Sequence, residues 1–195
     1  MVAGGSPFVP HGRRPAPALP HPGERRFRGP FPDEAAALLR TAEKGRLAPA
    51  GRAEALLDRA GIEALVPHRG EALLLDRVTA LDPLGGTIVA RYDLGRAEAL
   101  LAGHFPGHPV WPGACQVEAI GQAGLVLVLK TAPPAEPIEA VSLTGILGAR
   151  FLRPVRPPAD VEIVARVVED GLFRIVVGQC LVQGEICSVA ALAGL

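Results

Sequence analysis

The chain has 195 residues, 49% of them apolar, and its 20 basic and 20 acidic residues cancel to a formal net charge of zero. That length and composition supply the core of one ordinary domain with an appendage, and they exclude a disordered tail or a linker. With no net field and no cluster of Lys or Arg interleaved with aromatics, nucleic acid is excluded as a partner.

Residues 1–32 carry repeated Pro and Gly, five Arg against one Glu, and few large apolar side chains. Such a segment cannot repay the entropy of ordering and is expected to be flexible. Residues 33–61 are expected to form a helical N-terminal extension. Asp33 is read as an N-cap, Glu34 to Lys44 as a helix of about three turns ending at Gly45, and Arg52 to Ala60 as a second short helix before Gly61.

The compact domain is expected over residues 62–195, where the chain turns more apolar. Leu73 to Leu81 and Thr87 to Leu94 read as a hairpin, joined by a turn over residues 82–86 rich in Pro and Gly. Pro112-Gly113 opens an almost wholly apolar helix in which Glu118 is the only charged residue before Lys130. Further strands are expected over Ala140 to Leu147, Gly148 to Pro154, Asp160 to Glu169, Phe173 to Gln183 and Ile186 to Ala193, with Asp170-Gly171 as a turn. A helix apolar on all faces must be enclosed, and an antiparallel sheet curled around it does so. The fold class is therefore α+β.

Residues 110–129 raise the question of a membrane span, but Pro112, Gln116, Glu118 and Gln122 interrupt it, so a buried helix is expected and no membrane. No charged region precedes an apolar run at the N-terminus, and Cys115, Cys180 and Cys187 are an odd number without CxxC spacing. Both observations predict a cytoplasmic protein with free thiols.

The segment Gly103 to Gln122 holds the candidate chemistry. Gly and Pro around His104 place this imidazole on an irregular loop, while Glu118 stands alone among apolar residues. An ionised carboxylate in apolar surroundings is costly, so Glu118 is expected either to find a donor or to keep its proton and serve as a general acid. His104 is suited to general-base work because its ordinary titration range lies near neutral pH. Pro109, Pro112 and Gly113 break any regular ligand spacing among His104, His108, Cys115 and Glu118, so no metal is expected. His108 is read as exposed, Asp76-Arg77 as a short-range structural pair, and Pro67-His68-Arg69 as shaping the chain that enters the sheet.

Six segments in order, Pro67-His-Arg69, Leu73-Leu-Leu-Asp-Arg77, Gly103-His-Phe-Pro-Gly107, Pro109-Val-Trp-Pro-Gly113, Glu118-Ala-Ile-Gly-Gln122 and Arg150-Phe-Leu-Arg-Pro-Val-Arg156, resemble the successive motifs of the hot-dog-fold 3-hydroxyacyl-[acyl-carrier-protein] dehydratases. The resemblance covers about residues 62–195 and is to the branch with a catalytic Glu. It implies a long central helix wrapped by a curved antiparallel sheet, in a homodimer or a trimer of dimers, with His104 of one subunit facing Glu118 of the other. It further implies reversible dehydration of (3R)-3-hydroxyacyl groups to trans-2-enoyl groups in fatty acid, polyketide or polyene assembly. The expected partner is an acyl carrier protein, whose phosphopantetheine arm carries the substrate, and no cofactor is expected.

Within that resemblance, the backbone N–H of Gly113 at the helix start is the expected donor to the thioester oxygen. Gln122, one turn after Glu118, is placed to orient the carboxyl. Leu101, Phe105 and Trp111 are expected along the acyl tunnel, and Arg150, Arg153 and Arg156 where the acidic carrier docks. Trp111 and Leu101-Ala102 depart from the usual pattern, as does Pro158-Ala159 in place of a Pro-Gly turn, which suggests a specialised paralogue. Two alternatives stay open: a half-catalytic subunit of a heterodimer with a paralogue, and a hot-dog thioesterase.

Overall fold

The computed structural model describes residues 32–131, 143–170 and 173–194. The segment 1–32 expected to be flexible lies outside the described residues except for Pro32, as do the start of the strand expected from Ala140 and Gly171 of the expected turn.

Helix α1 (Asp33–Ala42) packs on one face of a six-stranded sheet, and helix α4 (Gly113–Thr131) packs on the other. Between α1 and α4 lie two short helices, α2 (Arg59–Glu63) and α3 (Glu98–Gly103). The strands are β1 (Arg77–Asp82), β2 (Thr87–Asp93), β3 (Leu143–Phe151), β4 (Asp160–Asp170), β5 (Phe173–Val182) and β6 (Glu185–Gly194). They run β1-β2-β4-β5-β6-β3, every neighbouring pair antiparallel. This is the long helix held against an antiparallel sheet that the sequence predicts.

Two-residue periodicity in β5 decides which layer each side chain joins. Ile175 and Val177 meet Ala35, Leu39 and Ala42 on the α1 side. On the α4 side, Gly178 has no room for more than a hydrogen, because a Cβ there would lie 2.5 Å from Ile120 Cγ2 and 2.8 Å from the Val164 carbonyl. No described helix is long and apolar enough to cross a membrane.

Several boundaries differ from the expected ones for identifiable reasons. Asp33 lies inside α1 and Pro32 occupies the cap position without a side-chain bond. The helix expected over Arg52 to Ala60 forms only from Arg59, because Arg52 N–H and Leu56 N–H donate to the carbonyls of Thr79 and Val78. Residues 52–57 thereby cover the outer edge of β1, and that edge pairing outweighs helix propensity. Asp58 caps α2 by accepting from Gly61 N–H at 2.8 Å, so Gly61 sits inside the helix it was expected to follow.

Residues 73–76 are buried but belong to no strand: Leu74 N–H donates to the Gln122 side chain instead of to a neighbouring strand. The two strands expected around Gly148 are one strand, β3, with register shifts between Leu143 and Gly145 and between Ile146 and Gly148. Glycine in a strand marks a bulge as readily as a turn. Asp76 and Arg77 do not pair with each other. Asp76 takes Arg59 and Arg96, at 2.9 and 2.7 Å, and Arg77 reaches Asp160 at 2.6 Å.

Candidate active site

His104 stands at the C-cap of α3, its N–H shared between the Leu100 and Leu101 carbonyls, with loop residues following. Its ring stacks on Phe105 with centroids 4.1 Å apart. Nδ1 lies 2.7 Å from the Val110 carbonyl oxygen, which can only accept, so the hydrogen is on Nδ1. In the neutral ring Nε2 then holds the free lone pair that a general base requires. Phe105 and His108 exchange backbone hydrogen bonds and close the loop beyond it.

Glu118 lies on α4, and the apolar enclosure expected for it is incomplete. Its side chain is 46% exposed, because Ala114, Glu118, Gly121 and Leu125 form a stripe at helical spacing that the chain's own sheet does not cover. The stripe faces a groove of about 610 Å³, bounded opposite by Leu143, Ile146 and Phe151 of the edge strand β3. Those three apolar side chains are themselves more than half exposed.

Gln122 fixes the carboxyl. It is 1% exposed, and its Oε1 accepts from Leu74 N–H at 2.8 Å while its Nε2 donates to the Ala72 carbonyl at 2.7 Å. These two backbone partners decide the amide orientation, so Nε2 has to donate its other hydrogen to Glu118 Oε1, at 2.9 Å. Beside it, Cys115 is a half-buried thiol whose pKa is pushed up by burial and then by the Glu118 carboxyl.

Residue 68 was missed. His68 Nε2 lies 3.3 Å from Glu118 Oε1, and Arg69 donates to the Val66 and His68 carbonyls at 2.6 and 2.7 Å, holding the backbone that carries it. The signal in the sequence was a His between Pro67 and Arg69, with nothing to say which way its ring turned.

Gly113 begins α4, so its N–H lacks an intrahelical acceptor. A Cβ at this position would lie 2.6 Å from the Phe151 ring, so glycine lets that ring lie over the helix start. Leu101 and Phe105 line a second groove of about 370 Å³ with Leu94, Pro109 and Pro157. Trp111, expected along the tunnel, is fully buried in the core and stacked on Tyr92, with centroids 5.6 Å apart. Its indole fills the space under α4 and borders neither groove. Within one chain His104 and Glu118 make no contact among the described residues: Glu118 borders the larger groove, and His104 borders neither, although its neighbour Phe105 lines the smaller one.

Residues 66–189 match the FabA-like domain. A curated protein of Campylobacter curvus (strain 525.92), 3-hydroxyacyl-[acyl-carrier-protein] dehydratase FabZ, is 34% identical over 145 residues, which are 72% of this chain and 97% of that protein. The protein of the same name from Nitratidesulfovibrio vulgaris (strain DP4) is 36% identical over 141 residues, 72% of this chain and 91% of that one. The chain belongs to the FabA-like family.

The dehydratase heterocomplex ApeI:P of Xenorhabdus doucetiae superposes with a TM-score of 0.50 at 18% identity, over 68% of this chain and 88% of that one. A mutant of the Pseudomonas aeruginosa thioesterase PA1618 gives 0.50 at 18% identity over 74% and 96%. Both share the hot-dog fold with this FabA-like chain, and neither likeness reaches to chemistry. The match starts at residue 66, so α1, residues 43–57 and α2 lie outside the FabA-like domain. Among the described residues, no three His, Cys, Asp or Glu are grouped to hold a metal ion.

Proposed function

We propose that this FabA-like chain catalyses the reversible dehydration of 3-hydroxyacyl groups on an acyl carrier protein to trans-2-enoyl groups in fatty acid synthesis. The observation that carries the reading is the fixed tautomer of His104: Nδ1–H is committed to Val110, so Nε2 is free to take a proton from C2 of the acyl chain. The electron pair of that C–H bond moves toward the thioester carbonyl, whose developing charge the unpaired N–H of Gly113 stabilises at the positive end of α4. As the C2=C3 bond forms, the C3–O bond breaks and the hydroxyl leaves as water with a proton from Glu118. The proton on His104 returns to Glu118 to reset the pair, and each transfer contributes roughly 10²- to 10⁴-fold in rate.

His104 and Glu118 meet when a second copy covers the open stripe of α4. The exposed Leu143, Ile146 and Phe151 on the edge strand β3 support a dimer in which each groove is closed by the other chain. Closure also removes water from around Glu118 and supplies the apolar surroundings that one chain lacks.

Arg150 and Arg153 pair with Glu43 and Glu185 at 3.0 and 3.1 Å on the surface, and Arg156 is exposed. Surface pairs of this kind are worth at most about 1 kcal/mol, so an acidic carrier can exchange with them. Docking on this side places the phosphopantetheine arm toward the groove that Phe151 borders.

The test is mass spectrometry of 3-hydroxyacyl and enoyl groups on a carrier protein incubated with the chain. Loss of one water from the first and gain of one by the second are expected. Release of free acid with the carrier thiol would indicate a thioesterase instead, and a folded chain inert toward both substrates would indicate a missing partner subunit.

A further inference from the structure

Glu118 Oε1 accepts from Gln122 and has His68 Nε2 beside it at 3.3 Å, while Oε2 makes no hydrogen bond among the described residues. Gln122 is one donor, and its orientation is dictated by Leu74 and Ala72. The other neighbour is His68 Nε2 at 3.3 Å, and against an Oε1 that holds no proton that nitrogen is the one that carries the hydrogen. Among the described residues His68 Nδ1, which is buried, has no hydrogen-bond partner, and the ring's one polar contact is with Glu118. From these contacts we infer that His68 is a positioning residue: with Gln122 it pins Oε1 as the accepting oxygen, so that Oε2 is the atom that carries and delivers the proton.

The geometry gives this division of labour a reason. A carboxylic acid transfers its proton from one oxygen, and free rotation about its last bond would let either oxygen face the substrate. A hydrogen bond from Gln122 and the close approach of His68 reach Oε1 from different parts of the chain, one turn along α4 and the segment before β1, and hold the carboxyl against that rotation. Arg69 then serves the site at one further remove, since its guanidinium bonds the carbonyls on either side of Pro67. Cys115 and, across the groove, Arg174 complete the polar groups around this carboxyl.

The inference rests on the acid role proposed for Glu118, and its test separates the two. In His68→Ala we expect kcat to fall on the order of 10²-fold. KM should stay within about threefold, because the residue acts on the proton donor and not on binding. His68→Gln, which keeps an N–H donor, should recover part of the loss. In a Glu118→Gln background His68→Ala should add little, since both changes remove the same function. The ¹³C signal of the Glu118 carboxyl, in protein labelled at Glu side chains and assigned through Glu118→Gln, should shift at fixed pH in His68→Ala.

Unchanged kcat, or a full multiplicative loss in the Glu118→Gln background, would overturn the inference. If the unaltered chain turned over neither substrate, the reading of this chain as a dehydratase without another subunit would fail by itself, and the carboxyl signal would then decide: an unmoved signal in His68→Ala would dispose of the contact as well.

Discussion

Replacing Gln179 with Leu tests whether the N-terminal extension is part of the folded domain. Gln179 lies on the α1 face of β5, is 0% exposed, and reaches into the end of α1. Its Nε2 donates to the Ala42 and Gly45 carbonyls at 2.9 and 3.2 Å, and its Oε1 accepts from Leu47 N–H at 2.7 Å. Leucine fills the volume but strands all three backbone groups. The Leu47 donor and the Ala42 acceptor, left unpaired, cost roughly 1–3 kcal/mol each, while Gly45 is near enough to water to be partly rescued. The sum is about 2–6 kcal/mol, which for a chain of this size lowers Tm by roughly 4–24 °C. Thermal unfolding followed by circular dichroism measures it, and hydrogen exchange should show the loss concentrated in residues 33–49. A Tm within about 2 °C of the unaltered chain, with unchanged exchange there, would refute the reasoning that this glutamine anchors the extension.

Gly178→Ala should destabilise by about 1–3 kcal/mol or more, measured by urea unfolding, because the new Cβ meets Ile120 and the rigid Val164 carbonyl. Gln122→Leu should lower both Tm and kcat, since it unpairs Leu74 N–H and the Ala72 carbonyl and frees the Glu118 carboxyl. Of the three thiols, Cys115 should react first with a disulfide reagent in the folded protein, with Cys180 and Cys187 released only by denaturant. Burial pushes the Cys180 thiol up to about 12 from 9.0. The folded state therefore keeps a proton that the unfolded chain loses above pH 9, so stability should fall with rising pH across that window by up to about 1.4 kcal/mol per unit. Cys180→Ala should flatten that slope in denaturant titrations.

The parts of the fold read correctly from the sequence are those in which local pattern and tertiary environment agree. Glycine and proline punctuation located α4, and the Gln183-Gly184 turn, both residues at positive φ, separates β5 from β6 at the break between the strands expected to end at Gln183 and to begin at Ile186. Residues 52–57 and 73–76 were misread because their backbone partners are distant: the edge of β1 for one and the side chain of Gln122 for the other. Neither partner leaves a mark in the local sequence. In the site, spacing brought Gln122 to Glu118, since four residues along a helix is a contact. No spacing rule relates position 68 to position 118, and His68 became visible only once the chain was folded. Trp111 misled for the opposite reason: its place beside the site in sequence suggested a tunnel wall, whereas its ring turns inward onto Tyr92.

The central claim, that His104 of one chain works with Glu118 of another, is tested most directly by mixing two impaired variants. His104→Ala and Glu118→Gln should each slow loss of water from a 3-hydroxyacyl carrier by roughly 10²- to 10⁴-fold. Refolded together, half of the dimers should be hybrids, and in each hybrid one of the two shared sites has both residues intact. The account predicts recovery of about a quarter of the unaltered activity in the equimolar mixture. If both residues of a site come from the same chain, no hybrid has an intact site, and a mixture as inactive as its components would contradict the account.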